Sequence, residues 1–349
     1  MEVLQVENQK EWEQYVGKCK RKSFLQTWQW GEFQKSLGKK VERVAILFNG
    51  KLVGVSLCIL QSSRFETYVY CPRGPLLIKD DIECYTQVLG ALKEYWGKRG
   101  VGAIRIDPGF IENADISKVP RQLGFRHSIN FIQSENNWMV DLIGKNEKDL
   151  FKWCKGHGMN KNYPTYIRKA RREDVQISFS KDKKDWDLFH TYLKMSGSRK
   201  DFKVKPKKYY IDMWKSLGKD SGILRLGIAK QNGNILAMIL IAVYGDEISV
   251  LYSTQTDTEI KVRATMLLRW ECMLLGQKEG VKRFNNWGVL PEKKYKEKNP
   301  GYGYSHYKRD FGGYMENIER TYEYAYRQIP HLLQRIYDLY IKIRYYRFR

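Results

Sequence analysis

One supersecondary pattern occurs twice along the chain, and this repetition limits the possible folds more than any other feature. Residues 43–60 hold two apolar runs, RVAILF and KLVGVSLCIL, joined by Asn49-Gly50, a strong signal for a two-residue hairpin. The same arrangement returns at 224–242, LRLGIAKQNGNILAMILIA, around Asn232-Gly233, an offset of 183 residues. The next element also recurs. A helical pattern at 86–99 runs through Gly100 into VGAIRID, and a matching one at 265–279 runs through Gly280 into VKRFNNW, an offset of 180. A hairpin, helix and strand repeated in order predict two duplicated α/β (α+β) domains. Each carries a mixed, largely antiparallel sheet with helices on its faces.

The expected boundaries follow composition. VDLIG gives way to KNEKD near Leu142 to Asn146, and a second transition falls near Asn317 to Arg320. The predicted domains are therefore 1–145 plus 320–349, and 146–319. A length of 349 residues supports two cores.

Lysine and arginine number 62 against 39 acidic residues, a net charge of +23, while 42% of residues are hydrophobic, too many for a disordered basic tail. Such an excess favours polyanionic partners such as nucleic acid, phosphorylated substrates or an anionic membrane face. Six cysteines without a CxxC spacing read as reduced core thiols, and five scattered histidines offer no metal motif. The opening MEVLQVENQKEWEQYV predicts no signal peptide, and no run of 18 apolar residues occurs. The expectation is a cytoplasmic protein, at most peripheral to the inner face of the membrane.

Three further segments suggest chemistry. NKNYPTYIRKARREDVQI gathers Lys161, Arg168, Lys169, Arg171 and Arg172, and MSGSRKDFKVKPKKYY adds Arg199, Lys200, Lys203, Lys205, Lys207 and Lys208 with interleaved aromatics. Basic and aromatic residues together suit phosphate contact plus stacking. In NPGYGYSHYKRDFGGYMEN, Tyr307-Lys308 lies between glycine pairs in a segment read as a short strand, where a fixed lysine can hold a developing oxyanion. The tail from Pro330 places Leu332, Leu333, Ile336, Leu339, Tyr340 and Ile343 on one helical face among basic residues, including Arg347 and Arg349. Packing of that face on the first domain is the expected role; contact with anionic lipid or nucleic acid is the alternative.

The repeated unit suggests an acetyltransferase-like fold. Acyl-CoA chemistry needs a glycine-rich turn at the start of the central helix to bind pyrophosphate. The turns here, KDDIECYTQ at 79–87 and TDTEIKVRATM at 256–266, contain no glycine. The acyl donor expected is then not CoA but an RNA-borne acyl group.

With SFLQTWQWGEFQKSLG at 23–38, YCPRGPLL at 70–77, IRIDP at 104–108, YIRKARREDVQI at 166–177, NWGVLPEKK and HYKRDFGG, the chain resembles the FemABX family of peptidoglycan bridge-forming aminoacyltransferases. The resemblance implies two tandem acetyltransferase-like (GNAT-like) domains. It further implies transfer of an amino acid from aminoacyl-tRNA to the side-chain amine of the third stem residue of lipid II or UDP-MurNAc-pentapeptide. No CoA, metal or other cofactor is implied. By the same resemblance Lys35, Arg73, Gly74, Lys205, Tyr209 and Tyr252 contact the acceptor, Lys205 standing where UDP-acceptor members carry an arginine. Asp107 lies near the stem peptide, where it positions or deprotonates the amine, and Tyr307 and Lys308 lie beside the reacting ester. No sustained heptad marks a coiled-coil tRNA arm, so the basic stretches at 161–172 and 199–208 are the expected tRNA contacts. Alternatives from other classes are a non-catalytic RNA- or membrane-binding protein of this fold, and a CoA-dependent N-acetyltransferase.

Overall fold

The computed structural model describes residues 1–113, 115–200, 202–256 and 262–347, without the side chains of residues 200 and 345–347. Lys200's side chain, Arg349, and much of the 256–266 turn thus lie outside the described residues.

Both Asn-Gly pairs make the hairpins that the sequence predicts. Asn49 and Gly50 take φ of 48° and 74°, and Asn232 and Gly233 take 49° and 76°. Two consecutive left-handed residues match the twist of the flanking strands. They join β2 (Val41–Phe48) to β3 (Lys51–Ser62) and β10 (Leu224–Gln231) to β11 (Asn234–Tyr244). Both hairpins also shift register at the repeat-equivalent place, between Ile46 and Leu47 and between Ala229 and Lys230. The duplication therefore reaches down to a β-bulge.

The first sheet runs in the order β1 (Glu2–Gln5), β2, β3, β4 (Thr67–Pro72), β6 (Ala103–Asp107), β15 (Tyr322–Ala325) and β7 (Arg126–His127), with β5 (Leu76–Leu77) beside β3. The second follows the same plan: β9 (Gln176–Ser180), β10, β11, β12 (Glu247–Gln255), β13 (Arg283–Gly288), β8 (Asn136–Asp141) and β14 (Tyr314–Asn317). In each sheet a parallel pair, β4 with β6 or β12 with β13, is linked by a long helix, Ile82–Gly97 or Ala264–Lys278. Each sheet has its own core. One includes Ile46, Val88, Leu92, Trp96 and Ile104; the other includes Ile239, Leu268, Trp270, Phe284 and Phe311. All six cysteines are free and buried.

The units are Met1–Glu135 with Asn317–Arg349, and Asn136–Glu316. The division precedes the predicted 145/146 and 319/320 because β8 pairs with β13 of the second sheet, register Val140 to Phe284. A composition shift marks where a buried strand gives way to an exposed stretch, but hydrogen bonds decide which sheet owns the strand.

The tail helix, Gln328–Arg347, reverses the expected packing. Leu332, Leu333, Ile336, Leu339, Tyr340 and Ile343 are exposed, while His331 and Gln334 are buried. His331 faces Glu66 at 2.9 Å and Glu323 at 3.5 Å, and Glu323 also pairs with Arg105 at 3.0 Å. The buried carboxylates under the helix draw partners from its polar side, so that side faces inward.

Candidate active site

The two parallel strand pairs differ in one respect. β4 and β6 stay in register over five residue pairs, from Tyr68 with Ala103 to Pro72 with Asp107, whereas β12 and β13 match over only three, ending at Ser249 with Asn285. β13 then bends away: its pairing with β8 shifts between Asn285 and Gly288, and Trp287 takes a left-handed φ of 63°. Beyond the last pair lies a cavity of about 550 Å³, lined by Ser253, Gln255, Arg269, Tyr304, Tyr307 and Lys308 among others.

Tyr307-Lys308 is helical, within Tyr302–Arg309, and not the predicted short strand. Tyr304, Tyr307 and Lys308 stand at i, i+3 and i+4 and so share a face. Gly301 begins the helix with φ 91°. The later glycines serve close backbone approach, but to this chain's own backbone: a Cβ on Gly312 would lie 2.4 Å from the Cys154 carbonyl oxygen, and one on Gly313 would lie 2.1 Å from that of Met139.

Lys308 donates from Nζ to the Gly288 carbonyl at 2.6 Å and stands 5.2 Å from the centre of the Tyr304 ring. Burial pushes its ammonium down to about 7, and the Arg269 charge pushes the same way. Arg269 is itself buried, bonded to the side-chain oxygen of Asn286, with its guanidinium 5.2 Å from the Tyr307 ring centre. Tyr307 donates its hydroxyl to the Thr265 carbonyl at 3.3 Å. The sequence signal for Arg269 is a lone charge within the apolar run MLLRW, a pattern that by itself names no function.

In the first unit the end of β6 is closed by side chains. Asp107 is fully buried; it accepts from the Tyr70 hydroxyl at 3.0 Å and from Arg73 at 3.3 Å. Burial raises its pKa, with Arg73 and Tyr70 opposing. Arg73, in a left-handed conformation with φ 47°, also donates to the Ser134 carbonyl at 2.6 Å. Gly74 packs on Gln26, whose amide nitrogen a Cβ there would approach to 2.6 Å. Lys35 lies at the end of a short helix, half-exposed and paired with Glu32 at 3.0 Å.

In the second unit Tyr209 and Tyr252 share a hydrogen bond, and Tyr252 packs edge-on against Tyr210 at 5.6 Å. Lys205 is exposed just before them. The strand separates this group from the cavity. Ser253 and Gln255 line the cavity, while the alternate residues Tyr252 and Thr254 meet the helix Lys183–Lys200, at Phe189 and at the Tyr192 carbonyl. Arg199, on that helix, donates to the carbonyl of Gln255 at the end of the strand.

The first basic stretch forms the helix Tyr163–Arg172, which buries Tyr163, Ile167 and Ala170 and leaves Arg168 and Arg172 exposed, with Lys161 exposed just before it. Arg171 is held between Glu147 at 2.9 Å and Glu271 at 2.6 Å, and Lys169 lies 3.5 Å from Glu173. Much of the charge of those two residues is thus answered within the fold.

The sequence pattern of the FemAB family matches residues 8–230, and that of an acetyltransferase (GNAT) domain matches residues 159–309. The chain belongs to the FemAB family. This FemAB-family chain is 24% identical over 231 residues to the lipid II:glycine glycyltransferase of Staphylococcus aureus, a match covering 63% of this chain and 53% of that protein. The chain spans about half the length of the curated relatives it matches. Its fold is similar to the crystal structure of FemX, with a TM-score of 0.85 at 17% identity over 96% of this chain and all of that one. A tandem GNAT protein from the clavulanic acid biosynthesis pathway aligns with a TM-score of 0.51 at 8% identity, over 93% of this chain and 99% of that one. The FemAB fold here is a pair of tandem GNAT-like units.

Proposed function

We propose that this chain is an aminoacyltransferase that moves an amino acid from aminoacyl-tRNA to the side-chain amine of the third stem residue of a peptidoglycan precursor, lipid II or UDP-MurNAc-pentapeptide. The observation that carries the reading is the cavity beyond the last β12–β13 pair with Lys308 in its wall, in a chain of this family. The name of the staphylococcal relative supports a lipid-linked acceptor.

The neutral acceptor amine attacks the ester carbonyl, forming the C–N bond and a tetrahedral oxyanion. Protonated Lys308 stabilises that charge and gives its proton to the ribose oxygen as the C–O bond breaks. It regains a proton from the nitrogen of the new amide. A lysine held to about 7 suits this exchange, because both protonation states are accessible near neutrality. Tyr307 and Arg269 hold the cavity wall around it, and Asp107 positions Arg73 for the acceptor. Lys35, Gly74, Lys205, Tyr209 and Tyr252 complete the acceptor contacts. Arg199, Lys200, Lys161, Arg168, Lys169, Arg171 and Arg172 meet the tRNA phosphates, with the exposed Lys161, Arg168 and Arg172 the freest to do so.

The reading uses neither CoA nor a metal. In the first unit the Asp81 carboxylate accepts from the Cys84 amide at 2.8 Å, putting negative charge where a pyrophosphate would bind. The chain acts in the cytoplasm, in contact with the inner face of the membrane. The test offers labelled amino acids on several tRNAs together with lipid-linked and UDP-linked muropeptides, and reads the product by mass spectrometry. Addition of one or more aminoacyl residues to the stem-peptide amine is expected; no transfer with any donor and either acceptor overturns the reading.

A further inference from the structure

The helix Gln328–Arg347 is amphipathic in the reverse sense to a core-packing helix. Ile329, Leu332, Leu333, Ile336, Leu339 and Ile343 are each between 45% and 75% exposed, and Tyr340 beside them is 53% exposed. The opposite side is fastened down by His331, Gln334 and Arg335, which bond to Glu66, the Phe65 amide and Glu323 respectively. The outward apolar stripe is therefore held in place by a buried polar network on the other side. Lys342, on the same side as His331 and Arg335, donates to the Ile129 carbonyl at 2.9 Å and fastens that side further.

Charge identifies what covers this face. Exposed Arg344 flanks the stripe, and Arg64, also exposed, lies 5.4 Å from the Tyr337 ring centre on the same helix. The helix's one acidic residue, Asp338, is turned toward Gln334 at 2.8 Å and Arg105 at 3.9 Å. A stripe of large aliphatics flanked by cations and free of outward carboxylates complements a bilayer with anionic headgroups. A second copy of this chain fits less well, since symmetric stacking would set like cationic flanks together on molecules already carrying +23.

We infer that the outer face of the Gln328–Arg347 helix docks on an anionic phospholipid bilayer, lying in the headgroup region without crossing it. No helix among the described residues is long and apolar enough to cross a membrane. The inference does not rest on the transferase reading, because docking is measured without either substrate.

The test is flotation of the full chain with vesicles of phosphatidylcholine alone or mixed with phosphatidylglycerol, alongside sedimentation velocity without lipid. The wild type is expected to float with the anionic vesicles only. Binding should weaken at least about tenfold in Ile336→Asp with Leu339→Asp, and also in Arg64→Glu with Arg344→Glu. The charge-reversed variant alters only exposed side chains, so it remains informative even where the first variant unfolds on heating more easily than the wild type. No binding to anionic vesicles, equal binding to both kinds, or undiminished binding by the charge-reversed variant overturns the proposal. Self-association without vesicle binding also overturns it and assigns the face to a second copy.

Discussion

Lys308 donates to the Gly288 carbonyl at 2.6 Å, a bond that ties the helix Tyr302–Arg309 to the strand end where β13 leaves its partner. Its donor is the amine in the cavity wall, and its acceptor is placed by the left-handed Trp287. Replacing Lys308 with Met removes the donor and leaves most of the stem volume. Aminoacyl transfer should fall about a hundredfold or more. Affinity for charged tRNA, read by filter binding, should stay near the wild-type value, because the phosphate contacts proposed above lie elsewhere. Transfer at wild-type rate would take Lys308 out of the chemistry.

The same lysine makes stability depend on pH. Its folded pKa, about 7, lies below its ordinary 10.5, so the unfolded chain binds the proton more tightly. Below pH 7 the amine is charged in both states and the cost of burying it is complete; above its unfolded value it is neutral in both and the cost is gone. Wild type should therefore gain stability relative to Lys308→Met as pH rises from 7 to 10, by up to about 1.4 kcal/mol per unit. Urea unfolding of both proteins at pH 7 and 9.5 measures the gain, and a constant difference would contradict it.

Asp107 and Arg73 form a buried pair at the end of β6. Asp107→Ala leaves the guanidinium without its carboxylate and should cost about 3–5 kcal/mol in urea unfolding. Asp107→Asn, which keeps an acceptor oxygen for Tyr70, should cost less. With a folded Asp107→Asn variant, the acceptor KM should rise more than kcat falls. An equal loss in kcat would give Asp107 a direct part in the reaction.

His331 beneath the tail helix titrates the other way. Burial opposes its charge, yet hydrogen bonds to Glu323 and Glu66 hold its imidazolium up to about 9. Its contribution is complete below the unfolded value of 6.5 and disappears as pH rises through about 9. His331→Gln should therefore cost on the order of 3 kcal/mol at pH 6 and much less at pH 9.5. Glu323, whose pKa burial would raise but which His331 and Arg105 bring to about 2, keeps its charge throughout that range.

Gly312 stands at φ 80° against the Cys154 carbonyl. Gly312→Ala meets both a disfavoured backbone conformation and a 2.4 Å contact, so unfolding should be easier by more than about 2 kcal/mol. Gly303, where a Cβ meets nothing within 4 Å, is the control, and Gly303→Ala should change stability little. Equal effects at the two positions would remove the steric argument.

Local patterns in the sequence carried the repeated architecture. Asn49-Gly50 and Asn232-Gly233 need two left-handed residues in a row, a demand that few other dipeptides meet, and the helix after each hairpin is readable from its apolar period. Other features depended on distant partners. The tail helix has an apolar face that by pattern alone belongs in a core, but Glu66 and Glu323 lie beneath it and require His331 and Arg335 instead. Tyr307-Lys308 reads as a strand beside its glycines, yet Gly301 starts a helix there and Gly312 and Gly313 serve backbone contacts to Cys154 and Met139.

The sequence by itself determined the duplication, the hairpins, the long helix that follows each, and the family resemblance, because these arise from conformational preferences and periodicities a few residues long. Only the tertiary structure decided that the two halves differ where it matters. β4 and β6 remain joined as far as Asp107, while β12 and β13 part after Ser249 and Asn285. That difference depends on hydrogen bonds between strands more than thirty residues apart and on buried charges, Asp107 with Arg73 in one unit and Arg269 beside Lys308 in the other. Burial then makes the lysine chemically distinct from the other lysines of a basic chain, and burial belongs to the fold as a whole rather than to any short segment.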